Sequence, residues 1–484
     1  MIERHATSAN IGLSVAPRTD EIVEGWGMRN RTRSRVVRPR DVGEIPAIFA
    51  EIVASGGTIG LRGAGCSYGD ASLNDGQTLL DCTALNRIRA WDAATGRITV
   101  EPGVTIAQLW QRMLPDGWWP MVVPGTSAVT LGGAAAANAH GKNNWRVGCI
   151  GDHILAFEIV VPSGETLICS REQNTDLFYG AIGGFGLLGC FTSITLQARR
   201  VHSGLVCETQ MAYPSLDALL DGLESMTAEA DDLVAWIDTS ATGPRLGRGL
   251  LKASRDLAPG EDPAPRFSLS VAGQLPRSAL VNHLPNGLLP LLARPLASRQ
   301  GVWLANRAQW QLGQGQRATH QHLTSYARAN FPLDAIPGWK DAYRPGGLIQ
   351  HQSFVPRADA AKVFRSFIER SHCAGIAPSF AVLKKHRPDD FLLSYLGDGY
   401  SLALDYPVRR SDESKTLALM TELNDALADA GGRCYFAKDS TLTSEQVRRM
   451  YSEDHLARFL VLKSRYDRRD VLSTDFYRRV LAPR

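Results

Sequence analysis

The chain has 484 residues, more than one ordinary hydrophobic core organises, so two domains are expected. Hydrophobic residues make up 44% and charged residues 21%, which excludes a disordered or fibrous chain, and a formal charge of +4 is too small at this length to make nucleic acid the main partner. Eight scattered cysteines without a C-x-x-C pair fit neither a disulfide framework nor a zinc site, and the dispersed histidines give no metal-ligand spacing, so no metal is expected.

The opening "MIERHATSANIGLSVAPRTDE" has no basic stretch followed by a long apolar run, and no window reaches roughly 18 uninterrupted apolar residues. The expectation is a cytoplasmic protein, at most peripheral on the inner face of a membrane. "SRVVRPRDVGEIPAIFAEIVASGGTIGLRGAG" predicts strand, helix, strand. Asp41 and Glu44 have capping-box spacing, Ile45, Ile48, Phe49 and Ile52 recur at helical spacing, and Gly56-Gly57 stops the helix. Arg29, Arg31, Arg33 and Arg35 alternate, as on the solvated face of a strand; an anion-binding arm is the other reading. Strands are expected at "QTLLDCT" and "GRITVEPG", and a helix at "TIAQLWQRML". A hairpin is expected in "ILAFEIVVPSGETLICS" around Pro162-Ser163-Gly164, then a helix in "NTDLFYGAIGG" and a strand in "CFTSITLQARR". From about residue 203 the texture reads as longer helices broken by Pro-rich stretches such as "DLAPGEDPAPRF". The last fifty residues read as a compact mixture of strand and helix.

Gly184-x-Gly186-x-x-Gly189 has dinucleotide-fingerprint spacing, but it follows a helix and precedes a strand. A Rossmann turn needs the opposite polarity, so the NAD reading is rejected. Three glycine-rich stretches, "LRGAGCSYGD" (61–70), "PGTSAVTLGGAAAANAHGKN" (124–143) and "GGFGLLG" (183–189), together suggest exposed backbone amides lining one long anionic ligand. Close helix–sheet packing is the competing account of Ala134 to Ala137. No G-x-S-x-G elbow points to a nucleophilic hydrolase.

The order R-G-x-G-x-S, P-G-T…G-G, D-L-F…G-G-x-G…T-L resembles the vanillyl-alcohol-oxidase/PCMH family of FAD-binding flavoproteins. "CSYGDASLN", "NAHGKNN", "FPLDAIPGWKDAYRPGGLIQHQSFVP", "LALDYPV" and "YFAKDS" are similar to its branch that oxidises a polyprenylphosphoryl-ribose, from about residue 30 to the end. The resemblance implies an α+β fold, with a PCMH-type two-subdomain FAD-binding domain over 1–202. A substrate domain built on an antiparallel sheet with flanking helices would span 203–428, and a C-terminal segment, 429–484, would return to the FAD domain. It further implies that Arg62, Gly63, Ala64, Gly65, Cys66, Ser67 and Tyr68 wrap the FAD pyrophosphate. Pro124, Gly125, Thr126, Val129, Gly132, Gly133, Ala136, Ala137, His140 and Gly141 would line the flavin and adenine channel, completed by Gly186, Gly189, Cys190, Phe191 and Tyr435. Many relatives attach the flavin through a histidine where Cys66 stands. Here the resemblance implies noncovalent FAD, a flavin thioether being the alternative to a thiol that only packs.

The implied chemistry is oxidation of the ribose 2-hydroxyl of a polyprenyl-phosphate sugar by hydride transfer to FAD. This is the first half of an epimerisation toward arabinose and arabinan, and a separate NAD(P)H-dependent keto-sugar reductase would consume the product. Lys438 is the implied cation at the flavin. His140 would relay a proton or hold its loop, and Tyr68 would assist proton transfer or close the site edge. Gln350 and Gln352 share one strand face, with His351 pointing the other way. Both glutamines, Lys384, Ser401, Asp405 and Lys438 would line the substrate pocket, with Lys385 facing solvent. Some members carry cysteine where this chain has Ala403, so thiol-directed labelling is not expected there. The segment 280–303, apolar and Arg-flanked, could rest on an anionic membrane or form a loop over the pocket. A sugar-lactone oxidase of the same fold and a flavin-free lipid-binding module are the alternatives.

Overall fold

In the computed structural model, residues 18–274, 298–315, 321–336 and 338–482 are described. Most of segment 280–303, expected above as a membrane-resting stretch or loop, lies outside them.

The first sheet holds β1 (Arg18–Glu24), β2 (Arg31–Val37), β3 (Ile59–Arg62) and β4 (Thr78–Asp81) in the order β1-β2-β4-β3. The pairs β2/β4 and β3/β4 are parallel, and the helix Ile45–Ser55 makes the crossover from β2 to β3. Its predicted stripe Ile45, Ile48, Phe49 and Ile52 is buried, and it stops at Gly56, whose φ of 68° is left-handed. The capping box of Asp41 and Glu44 forms on the 3-10 turn just before that helix. Arg31, Arg33 and Arg35 face outward on β2 while Thr32, Ser34 and Val36 face in, so these arginines form a solvated strand face.

The second sheet is antiparallel, with β5 (Ile88–Asp92), β6 (Arg97–Val100), β8 (Ile154–Val160), β9 (Thr166–Ser170) and β10 (Cys190–Arg200) in the order β5-β6-β10-β8-β9; β7 (Trp118–Pro120) pairs with the far end of β10. The 162–164 hairpin, the helix Ile106–Met113 with its Thr105/Gln108 capping box, and the helix Thr175–Ala181 all form as read from the sequence. Gly184, Gly186 and Gly189 lie between that last helix and β10, so the fingerprint has no Rossmann polarity.

The third sheet has eight strands, all in antiparallel pairs, ordered β14-β11-β13-β12-β16-β17-β15-β18. They are β11 (Leu205–Tyr213), β12 (Asp232–Ile237), β13 (Gly249–Asp256), β14 (Gln321–Ser325), β15 (Leu348–Pro356), β16 (Phe380–His386), β17 (Gly399–Pro407) and β18 (Arg433–Cys434). The helical texture expected from residue 203 is therefore corrected. Three strands and one ten-residue helix occupy 205–256, because "LVCETQMAY", "DLVAWI" and "GLLKASRD" bury side chains against neighbouring strands and helices. Helices Ala360–Cys373 and Glu413–Asp429 flank the sheet, which makes the protein α+β.

Residues 431–482 are about half helical, and their strand content is the two-residue β18. They tie distant parts together. Tyr435 N–H donates to the Gln352 carbonyl (2.9 Å), Tyr68 N–H to the Ala437 carbonyl (2.9 Å), and Ile59 N–H to the Val471 carbonyl (2.8 Å). A β-carbon on Gly69 would fall 1.8 Å from the Asp439 carbonyl oxygen, so the two turns can meet only with glycine there.

Candidate active site

The site grows from one face of the third sheet. Antiparallel register sets Gln350 opposite Asp405, Gln352 opposite Ala403, and Lys384 opposite Ser401, so these side chains share a face. His351 points the other way, with Nε2 at 3.2 Å from Asn424 Oδ1 and its ring edge-on to Phe367. Lys385 corrects its expectation of facing solvent: its ammonium is 2.6 Å from Glu224 Oε2 and its side chain is only 11% exposed.

His140 arrives from the loop after helix Leu131–Ala136 and is buried. Gln352 Nε2 donates to His140 Nε2 and to Tyr395 Oη, each at 2.9 Å. His140 therefore carries its proton on Nδ1, near its neighbour's carbonyl. Burial, with help from Lys384 and His386, holds its pKa well below the usual imidazole value. Tyr435 stacks on Tyr395 (4.4 Å between centroids) and donates to the Ala137 carbonyl (2.9 Å).

Lys438 comes from the turn after β18, its ammonium 4.3 Å from the centre of the Tyr68 ring. Burial lowers its pKa to about 8, although the attraction of Asp405 works the other way. Asp405 accepts from the Gln350 amide and is raised to about 6 by burial. Lys384 is lowered to about 7 by burial and by the nearby cations Lys142 and Lys438, and it has no ion-pair partner among the described residues. Burial also keeps the Tyr68 phenol well above its usual value, hence protonated.

On the nucleotide side, Arg62 donates to the Glu24 carbonyl (3.0 Å) and to Ser72, holding the start of the first glycine loop. The amides of Ala64, Gly65, Cys66 and Ser67 donate no hydrogen bond among the described residues, and Gly65 has a φ of 66°. Four successive free N–H groups are a nest for phosphate oxygens. A β-carbon on Gly63 would lie 2.1 Å from Thr130 Oγ1, so this loop is pressed against the cap of helix Leu131–Ala136. Gly133, Ala136 and Ala137 form the half-buried side of that helix, Gly132 packs on Pro102, and Gly125 stands in open space. Pro124, Thr126 and Val129 are half-buried on the same loop, and Gly141 is covered by Asn143. Unpaired amides beside a wall of minimal side chains fit the pyrophosphate and flat ring of FAD.

At two expected contact positions, Cys190 and Phe191, the side chains serve the core, which leaves only their backbone for a nucleotide. The Cys190 thiol turns into a second apolar cluster, 3.8 Å from the Cys82 sulfur, and Phe191 packs edge-on against Phe157 in the main core. Neither side chain faces the cleft, because β10 is buried on both sides there. Gly186 (φ 74°) packs on Leu61, and Gly189 on Ile159. The Cys66 thiol is half-buried and pushed up to about 11, chiefly by burial.

Sequence reasoning missed four residues. His386 lies beneath Lys384, between Asn144 Oδ1 (2.8 Å) and Ser401 Oγ (2.6 Å), and the i, i+2 alternation used for the two glutamines would have found it. Asn144 and Tyr395 complete that buried polar layer. Arg479 makes a two-pronged pair with Asp70 (2.7 and 2.8 Å) and reaches Asp439 (2.9 Å), clamping the turns that carry Tyr68 and Lys438. No local signal marks it, since its partners Asp70 and Asp439 are 409 and 40 residues away. Among the described residues no group of three His, Cys, Asp or Glu is placed to hold a metal ion, and no helix is long and apolar enough to cross a membrane.

Comparison with known proteins agrees with this geometry. An FAD-binding-domain family model matches residues 34–170, and a D-arabinono-1,4-lactone oxidase model matches 355–480. The chain is 30% identical to decaprenylphosphoryl-beta-D-ribose oxidase of Mycolicibacterium smegmatis over 96% of its own length and 98% of the relative's. It is also 30% identical to an uncharacterised protein of Streptomyces coelicolor over 78% of this chain and all of that one. To the L-gulonolactone oxidase of Mus musculus it is 28% identical over 39% of this chain and 42% of the relative. The FAD-domain match counts against the flavin-free alternative. With a cleft shaped for a flavin nucleotide and similarity along nearly its whole length, the chain belongs to the FAD-dependent oxidoreductases of the vanillyl-alcohol-oxidase/PCMH family, in the group of decaprenylphosphoryl-ribose oxidase.

Proposed function

We propose that this protein oxidises the ribose 2-hydroxyl of a polyprenylphosphoryl-β-D-ribose to the keto sugar, the first half of an epimerisation toward arabinose for a cell-wall arabinan. The observation that carries the reading is the cationic surplus of the pocket. Lys384 makes no ion pair among the described residues, and the repulsion of Lys142 and Lys438 outweighs the pull of Asp232, which suits a phosphodiester and not a neutral lactone. The substrate named by the Mycolicibacterium relative carries such a group.

Arg62 to Tyr68, the 124–141 loop and Tyr435 would hold FAD, which would supply the hydride acceptor. Lys438 would supply a cation to offset the negative charge that hydride transfer brings to the acceptor. Tyr68 stays a neutral phenol and closes the edge beside Lys438. His140, its Nε2 already engaged by Gln352, stays neutral and holds its loop against the sheet. Asp405, ionised at neutral pH, is left as acceptor of the hydroxyl proton. Gln350, Gln352 and Ser401 orient the sugar, and Lys384 binds the phosphate. A thiol held protonated at Cys66 is a poor nucleophile, which supports noncovalent FAD. Acid precipitation that leaves a yellow pellet would overturn that point.

The reading divides the chain into an FAD domain (1–202), a substrate domain (203–428) and a returning segment (429–484), supported by the end of β10 at Arg200 and the start of the third sheet at Leu205. An NAD(P)H-dependent reductase then consumes the keto sugar, and the lipid substrate calls for peripheral contact with a membrane. The lactone-oxidase match over 355–480 favours a second reading, oxidation of an aldonolactone. Anaerobic mixing with farnesylphosphoryl-ribose decides between them. Rapid bleaching of the flavin is expected; bleaching by a lactone and not by the phosphoribose establishes the second reading.

A further inference from the structure

We infer that the outer face of the helix Arg299–Gly315 docks on the surface of an anionic lipid bilayer, an inference that rests on the lipid-linked substrate proposed above. The helix has two apolar faces where an ordinary surface helix has one. Inward, Val302, Asn306, Trp310 and Gly313 are buried against the third sheet, Trp310 packing with Trp236 and Leu250. Outward, Leu304, Ala308 and Leu312 recur at i, i+4 and i+8, with Leu304 56% and Leu312 74% exposed. Trp303, 45% exposed, lies alongside, with the Arg307 guanidinium 5.3 Å from its ring centre. On β14, which pairs with β11 beneath the helix, Leu323 is 47% exposed.

Charge selects the occupant. Between Asp262 and Asp334 the sequence contains seven arginines and no lysine, aspartate or glutamate. The whole chain carries +4, so the remainder is net acidic by three charges. Arg266, Arg307 and Arg328 are exposed and form no ion pair among the described residues, whereas ion pairs tie down many arginines elsewhere on the molecule. An exposed leucine stripe with an indole beside it, flanked by unneutralised arginines, is the composition of a helix lying in a headgroup layer.

Flotation of the full-length, FAD-loaded protein with vesicles lacking any sugar lipid tests this. Vesicles of phosphatidylcholine with about one-third phosphatidylglycerol are expected to bind at least about tenfold more tightly than pure phosphatidylcholine, less so in about 0.5 M salt. The double variant Leu304→Asp/Leu312→Asp is expected to lose at least about tenfold and Arg307→Glu about threefold, each keeping flavin absorbance and bleaching by a water-soluble short-chain phosphoribose. Failure of the wild type to float, or undiminished flotation of the double variant, overturns the inference. So does a wild-type dimer that the double variant converts to monomer, since a second copy then covers the face. Flotation without bleaching refutes the substrate reading alone, and bleaching without flotation refutes this surface alone.

Discussion

The two halves of the cleft are built on opposite principles. The nucleotide half takes side chains away: Ala64 to Ser67 present bare amides, and Gly133, Ala136 and Ala137 present a wall with nothing longer than a methyl group. The substrate half puts side chains in, with amides, a carboxylate and the Lys384 ammonium on one face of β15, β16 and β17. Backbone suits a ligand part that never changes, because amide positions do not titrate. Side chains suit the reacting part, where charge must be tuned.

If that division holds, the largest effect comes from the reacting half. Lys438→Met should slow flavin bleaching by about 10²–10³-fold, while the absorbance of bound flavin survives; stopped-flow under anaerobic conditions measures both. Arg479→Leu strips Asp70 and Asp439 of their partner, and breaking such a buried pair costs about 3 kcal/mol. It should lower the temperature at which flavin fluorescence is released and slow bleaching by misplacing Lys438. Lys384→Met should raise KM about 50-fold with kcat nearly unchanged, since a charged hydrogen bond to phosphate contributes about 2–3 kcal/mol to binding. A KM that does not move removes the anion reading. In the nucleotide half the effect is smaller and of another kind. Gly65→Ala, at a φ of 66°, should weaken FAD about tenfold by adding about 1–2 kcal/mol of backbone strain, with no change in bleaching rate once flavin is saturating.

pH offers the finest test. Asp405 accepts a proton only when ionised, above about 6, and Lys438 is a cation only below about 8. The bleaching rate should follow a bell between those values, and Lys438→Met should erase the upper limb. Lys384 loses its proton as pH rises through about 7, so KM for the phosphorylated substrate should rise above neutrality, a trend absent in Lys384→Met.

The two halves also differed in how much the sequence disclosed. The nest and the small-residue wall were legible because glycine spacing is local. The strand alternation of Gln350, Gln352 and His351 was legible for the same reason. Other features depended on pairing across long separations. The texture from residue 203 read as helical, because its strands are recognisable chiefly from what they pair with. Lys385 gave no sign of Glu224, 161 positions away, and Arg479 gave none of Asp70. Cys190 and Phe191 follow a glycine motif, while their own side chains serve the core.

The clamp of Arg479 on Asp70 spans 409 positions. During synthesis at about 5–20 residues per second, the turn bearing Tyr68 therefore waits on the order of tens of seconds for the residues that complete it. Until Arg479 is made, Asp70 and Asp439 lack the guanidinium that holds the Tyr68 and Lys438 turns together. The cleft is thus completed long after its first glycine loop has been made, by a residue that touches neither of the two ligand halves.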